Sequence, residues 1–111
     1  MTPLIEHYQT LSKEDQKKLC KRYYEWASRH DCAVTGVEYP YTGKAHHLRL
    51  PNNAGTSLKP PHIYMIPMID DIHTDIETKS VGWAENYWSK ELGYKVCFID
   101  ILERLHKEFM G

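Results

Sequence analysis

The chain has 111 residues, of which 41% are hydrophobic and 26% are charged, and its formal net charge at pH 7 is -1. This length and composition predict one globular domain over residues 1–111, because a chain of this size can bury enough surface for an independent core. They argue against a mainly disordered chain, and the low net charge argues against a protein that coats nucleic acid without specificity.

The sequence also predicts a cytoplasmic protein without a membrane segment. No apolar run approaches the roughly 18 residues of a transmembrane helix, and the start, MTPLIEHYQTLSKEDQ, lacks the basic and then apolar layout of a secretion signal. The three cysteines, Cys20, Cys32 and Cys97, include no CxxC pair. We therefore expect small buried hydrophobic side chains rather than disulfides or a cysteine zinc site.

The first predicted element is a helix over residues 12–29. Ser12 can cap it, and Leu19, Tyr23 and Trp26 then follow at helical spacing. We interpret this apolar stripe as core packing. The basic residues of the same segment are interpreted as a solvated face, with contact to DNA as the alternative: Lys13, Lys17, Lys18, Lys21 and Arg22.

A strand, a loop and a second strand are predicted next. Residues 32–43 are rich in turn formers, after which KAHHLRL at 44–50 predicts a short strand. The segment PNNAGTSLKPP at 51–61 has the composition of a loop, and HIYMIPM at 62–68 predicts another short strand. Together they predict an irregular hairpin.

Three helices are predicted after the hairpin. Asp70 and Asp71 suit a helix N-terminus, and Ile69, Ile72 and Ile76 recur at helical spacing, so the strand, strand and helix unit covers residues 44–78. Two C-terminal helices are expected within residues 81–109. One runs from about 81 to 92 and is ended by Gly93, and the other runs from about 98 to 109.

The residues with most chemical potential are histidines. His46 and His47 could divide the two tasks of a hydrolytic metal site, because a neutral imidazole can either bind the ion or accept a proton near pH 7. Successive strand residues point to opposite faces, so both rings can serve one site only where the strand is bulged or ends. His73 and Glu77 share one face of the predicted helix and could bind one cation, although such pairs are also common on helix surfaces.

The order of these residues resembles that of HNH nucleases. The run AHHLRL is followed by Gly55-Thr56, by Lys59-Pro60-Pro61 and by His73. Over about residues 32–78 this pattern resembles the small phage and prophage HNH proteins of the YbcO type, and it is similar to the RecA-dependent nuclease Ref. The resemblance implies an α+β fold with a ββα-metal core (HNH/His-Me finger). That core would be a short irregular β-hairpin and a helix, flanked by an N-terminal helix and one or two C-terminal helices.

The resemblance also implies a role for each site residue. His47 matches the general base, and His62 matches the residue that orients the base. His46, His73 and Glu77 would bind one divalent metal ion, with Mg²⁺ or Mn²⁺ expected and Zn²⁺ or Ni²⁺ as further ions that could bind. Arg49 and Lys59 are candidate phosphate contacts, with solvated loop charges as the alternative.

Two features depart from the resemblance. Many relatives carry a zinc knuckle of CxxC pairs, whereas here Thr35 stands at the expected partner of Cys32, and Ile69 and Ile72 replace the second pair. We therefore expect no structural zinc, with apolar packing by the isoleucines in its place. Three carboxylates near the helix start could either repel phosphate or add to metal binding: Asp70, Asp71 and Asp75.

The resemblance thus implies a metal-dependent endonuclease that hydrolyses DNA, encoded by a phage or prophage, with a role in recombination or DNA processing. Its expected partners are DNA and a recombinase filament or other recombination protein, with no membrane. One alternative is a noncatalytic nucleic-acid-binding or recombination accessory protein that retains the HNH fold. Another is a helical interaction module built on Trp83, Tyr87 and Trp88, whose spacing also fits a core stripe. RNA as substrate, the preferred DNA structure and the oligomeric state stay open.

Overall fold

The computed structural model describes residues 2–48 and 60–111. Within these ranges the protein is an α+β structure with five helices and one antiparallel pair of strands. The helices are α1 (Pro3–Thr10), α2 (Lys13–Ser28), α3 (Asp70–Thr78), α4 (Val81–Leu92) and α5 (Phe98–Met110). The strands are β1 (Gly43–His47) and β2 (Met65–Ile69). Among the described residues, no helix has the length and apolar character needed to cross a membrane.

The first helix, α1, is absent from the sequence prediction. It begins where Thr2 accepts a hydrogen bond from the amide of Ile5 at 3.1 Å and where Pro3 occupies the first helical position. With eight residues, α1 is too short for a clear periodic pattern. Helix α2 confirms the predicted helix over 12–29, and Ser12 caps it by accepting from the amide of Asp15 at 3.2 Å.

The predicted hairpin forms with shifted boundaries. Strand β1 pairs with β2 in a register that runs from Gly43 opposite Ile69 to His47 opposite Met65. The predicted strand over 44–50 ends at His47, and residues 49–59 lie outside the described part of the chain. The start of the second predicted strand is wrong, because residues 62–64 form a short 3-10 helix before β2 begins. Proline lacks an amide hydrogen and restricts φ, so the preceding Pro60 and Pro61 favour a turn there rather than strand pairing.

Strand β2 lies at the centre of the core. Four successive residues, Met65 to Met68, are buried, which means that both faces of this strand are covered. Helices α2, α3 and α5 pack against it, and the hydroxyl of Tyr23 donates to the Met65 carbonyl at 2.8 Å. The burial of each such apolar side chain stabilises the folded state by about 1.5 to 3 kcal/mol. The packing of the neighbouring helices therefore holds the hairpin in place.

The remaining predicted helices are confirmed as α3, α4 and α5. Helix α4 ends where Gly93 adopts a φ of 76°, a left-handed conformation that favours glycine, and donates to the Ser89 carbonyl at 3.0 Å. The interpretation of Trp83, Tyr87 and Trp88 of this helix as a core stripe is wrong for Trp83 and Tyr87. Trp83 and Tyr87 are 39% and 40% exposed and stack on each other, and only Trp88 packs against the core.

The segment that departs from the zinc-knuckle pattern is held by apolar packing. Ile72 is fully buried, and Ile69 packs against the core. Cys32 is buried, and its sulfur accepts a hydrogen bond from the Thr35 amide at 3.4 Å. The prediction of a buried cysteine therefore holds for Cys32, whereas Cys20 and Cys97 are only half-buried.

Candidate functional site

One group of predicted site residues joins β1 to α3. The rings of His46 on β1 and His73 on α3 lie 5.9 Å apart between centroids, in an edge-to-face arrangement. One helical turn beyond His73, the carboxylate of Glu77 lies 3.2 Å from its Nε2 atom. The packing of α3 against β1 thus brings together all three residues predicted to bind metal.

A second group contains the two residues predicted to be catalytic. Nε2 of His47, at the end of β1, lies 2.9 Å from Nδ1 of His62 in the 3-10 helix. The His62 ring in turn contacts the ring of Tyr24 on α2, with 5.0 Å between centroids. A single proton bridges the two imidazoles, so any protonation change at one ring alters the hydrogen-bond role of the other.

The adjacent imidazoles of His46 and His47 point to opposite faces of β1. His46 contacts α3, whereas His47 lines a cleft together with Gly43 and Ala45, which alternate with it along the strand. Neighbouring strand residues can serve one site where the strand is bulged or where it ends, and β1 ends at His47. A substrate that meets both rings must therefore cross the end of the hairpin.

The cleft beside His47, here called the tyrosine cleft, has a volume of about 390 Å³. Its main lining side chains are Tyr24, Tyr39, Tyr41, Ala45, His47 and Pro67. Gly43 allows the ring of Tyr41 to lie directly on β1, because a Cβ there would be only 2.6 Å from that ring. Burial, together with Cys32 and Asp31, raises the pKa of Tyr41 to about 12, so its hydroxyl stays neutral and donates to the His30 carbonyl.

A second recess, here called the lysine groove, has a volume of about 570 Å³. Its lining side chains include Tyr8, Lys13, Lys17, Lys21, Tyr24 and His62. The groove and the tyrosine cleft share Tyr24, and the hydrogen-bonded pair His62 and His47 also connects them. The sequence prediction did not use Tyr24, although its position eleven residues after Lys13 places both on one helical face.

The other predicted site residues have separate locations. Arg49 and Lys59 lie outside the described residues, as do Gly55 and Thr56 of the family pattern. Asp75 accepts a hydrogen bond from the indole of Trp88 at 3.0 Å and pairs with Lys79 at 3.6 Å, so it connects α3 to α4. Asp75 therefore has a structural contact, and its part in metal or phosphate binding stays a prediction.

The donor types of the first group fit a divalent cation, but their present positions do not converge. Two imidazoles and a carboxylate form a common ligand set for transition-metal ions. Among the described residues, however, no three histidine, cysteine, aspartate or glutamate side chains are arranged to hold one ion together. Two ligand atoms bonded to one ion at about 2.1 Å lie roughly 3 to 3.4 Å apart. The 3.2 Å between His73 Nε2 and the Glu77 carboxylate therefore already suits a shared ion, and what the described residues lack is a third ligand in a converging position.

Comparisons with known proteins leave the family undecided. No family model, no curated protein and no solved structure matches this chain. The functional assignment therefore depends on the geometry of the histidine groups.

Proposed function

We propose that the protein is a metal-dependent endonuclease that hydrolyses phosphodiester bonds in DNA, and that β1, β2 and α3 form its ββα-metal core. One observation carries the proposal. The candidate ligands His46 and His73 from two different elements lie side by side, while the next strand residue, His47, is hydrogen-bonded to a second imidazole. A hydrolytic site needs this division between residues that bind the ion and a residue that accepts a proton.

In the proposed reaction, His47 accepts a proton from the attacking water. The water oxygen forms a bond to phosphorus as the bond between phosphorus and the leaving oxygen breaks. Protonated His47 donates from both ring nitrogens, and His62 Nδ1, 2.9 Å from His47 Nε2, accepts one of these hydrogen bonds. His62 thereby stabilises the charged base and fixes the orientation of its ring, as the third group of a catalytic triad does.

The ion would be held by His46, His73 and Glu77. A bound divalent cation supplies positive charge that stabilises the scissile phosphate and the leaving oxygen. Mg²⁺ or Mn²⁺ is the proposed ion, since a carboxylate in the ligand set favours harder cations, and Zn²⁺ or Ni²⁺ could also bind. Arg49 and Lys59 remain proposed phosphate contacts, and a recombinase filament remains a proposed partner of this cytoplasmic protein.

A noncatalytic DNA-binding accessory protein is the second candidate. Two observations favour it: the candidate ligands do not converge among the described residues, and His46 and His47 lie on opposite faces of β1. Such a protein would bind DNA without cleaving it. The two functions therefore differ in whether phosphodiester bonds break when metal is added.

Nicking of supercoiled plasmid DNA in Mg²⁺ and in Mn²⁺ tests the proposal. Replacement of His47 by alanine removes the proton acceptor, so we expect the nicking rate to fall by about 100-fold or more. His7→Ala provides a matched control, because His7 is an exposed histidine on α1 that lines neither the tyrosine cleft nor the lysine groove. It should nick at the wild-type rate. A wild-type protein that binds DNA but leaves it intact in both metals would establish the accessory function instead.

A further inference from the structure

We propose that the lysine groove binds the backbone of an unpaired DNA strand, with Lys13, Lys17 and Lys21 neutralising successive phosphates and Tyr24 stacking on a base. This inference adds a substrate class to the proposed nuclease function. It rests on that function for the identification of the ligand as DNA. It names the class of substrate, a single-stranded segment, and the path by which that segment reaches His47.

The three lysines form a stripe along one face of α2. Their spacing of four residues places them roughly 6 Å apart along the helix axis, a step comparable to that between successive phosphates of a strand. All three are exposed. The sequence alone could not separate this stripe from a solvated face, because the residues that form the opposite wall of the groove come from α1 and the 3-10 helix.

The charge of the stripe is not neutralised by the protein. Within the described ranges, none of the three lysines forms an ion pair with a carboxylate. Lys18 differs, since it does not line the groove and it pairs with Glu14 at 3.8 Å. No described carboxylate lines the groove either. The groove therefore presents a net positive wall to its occupant, and a polyanion is the complementary ligand.

An exposed aromatic ring lies at the end of the stripe nearest the histidines. Tyr24 is 46% exposed and lines both the lysine groove and the tyrosine cleft. Tyr39, which also lines the tyrosine cleft, is 49% exposed. Proteins that bind single strands combine a positively charged groove with exposed aromatic rings on which bases stack. Bases of a continuous duplex are stacked on each other and cannot use these rings, so the arrangement favours an unpaired strand.

The groove also leads to the candidate catalytic pair. Its lining includes His62, which is hydrogen-bonded to His47 in the tyrosine cleft. Gln16 on α2 donates to the Tyr8 carbonyl at 2.9 Å, which holds α1 against α2 and fixes the width of the groove near Lys13. A strand bound along the lysines with a base on Tyr24 would thus bring a phosphate close to His47.

Binding without metal tests this inference separately from cleavage. Fluorescence anisotropy would measure the affinity of a labelled 12-nucleotide oligo-dT and of a 12-base-pair duplex hairpin in buffer with EDTA. The groove variant K13Q/K17Q/K21Q should bind the oligo-dT about 100-fold more weakly at 0.1 M salt, and the slope of log affinity against log salt should be shallower by about 2. The matched control is K18Q/K90Q/K107Q, which removes three exposed helical lysines outside the groove. It should retain most of the affinity.

The aromatic contact has its own pair of variants. Tyr24→Leu should weaken oligo-dT binding about tenfold, whereas Tyr24→Phe, which keeps the ring, should bind like the wild type. Thermal unfolding followed by circular dichroism confirms that each variant is folded.

Four outcomes decide between the two proposals. Equal losses in the groove and control variants, or tighter binding of the duplex than of the oligo-dT, would overturn the inference. If His47→Ala abolishes nicking while the groove variants bind like the wild type, the inference fails and the nuclease stands. If binding depends on the groove but no metal supports nicking, the groove stands and the nuclease fails.

Discussion

The histidines around the hairpin and His106 on α5 carry the same ring in opposite settings. His106 is fully buried, its Nε2 donates to the Ile63 carbonyl at 2.5 Å, and its Nδ1 accepts from the hydroxyl of Thr2 at 2.6 Å. His46, His47, His62 and His73 are half-buried, and each has another histidine of the group as a neighbour.

This contrast shows that the neighbours of a histidine, rather than its residue type, decide what it can do. The ring of His106 is fixed in one neutral tautomer by a carbonyl and a hydroxyl, which leaves it no contact with a substrate. His47 and His62 share a hydrogen bond and border open recesses, so a proton can pass between them, and His46 and His73 contact each other, as the proposed ion site needs. His106 is therefore a structural residue, and the hairpin histidines form the candidate site.

The largest expected difference between the two settings is in stability. His106→Ala should lower the free energy of unfolding by about 3 kcal/mol, because it leaves a cavity and removes the partners of Thr2 and Ile63. His47→Ala, at the half-buried site, should lower it by about 1 kcal/mol or less. Urea unfolding of both variants measures the two losses. Equal losses would mean that the hairpin imidazole has the same structural role as the buried one.

A smaller expected difference appears with pH. Burial lowers the pKa of His106, and the hydrogen bond to Ile63 opposes this only in part. The unfolded ring takes up a proton as the pH falls through about 6.5, whereas the folded ring stays neutral to lower pH. The neutral ring therefore makes its full contribution to stability above about pH 6.5. Below that pH the free energy of unfolding decreases by up to about 1.4 kcal/mol per pH unit.

Urea unfolding at pH 7.5, 6.5 and 5.5 measures this dependence. His106→Gln cannot titrate at this position, so its unfolding free energy should fall less steeply than that of the wild type over the same range. The other histidines are common to both proteins and cancel in the comparison. A wild-type profile parallel to that of the variant would contradict the assignment of a lowered pKa to His106.

The sequence predicts the elements whose signals are local. Helices α2, α3, α4 and α5 have periodic apolar residues, and Ser12 and Gly93 indicate two of their boundaries. The predictions fail where tertiary context decides. Helix α1 is defined by a cap and two buried residues, Leu4 and Ile5, and Trp83 is exposed although it has core spacing.

The candidate site also has parts that local sequence signals predict and parts that depend on the folded chain. The i, i+4 spacing of His73 and Glu77 is a local feature, and the family resemblance supplies the link from α3 to His46. The lysine groove had no such signal, because its walls come from α1, α2 and the 3-10 helix, and only the folded chain brings Tyr8, Lys17 and His62 together. Arg49 and Lys59 lie outside the described residues and stay predictions.

The most direct test of the metal site is an anomalous difference map from a crystal soaked in Mn²⁺. If one ion is shared as proposed, a single peak will lie within about 2.3 Å of a ring nitrogen of His46, a ring nitrogen of His73 and a carboxylate oxygen of Glu77. The His73–Glu77 separation, 3.2 Å without metal, will then stay close to that value, because neighbouring ligands of one ion lie roughly 3 Å apart. A saturating soak with no peak there, or a peak bound by only one of the three side chains, would contradict the account.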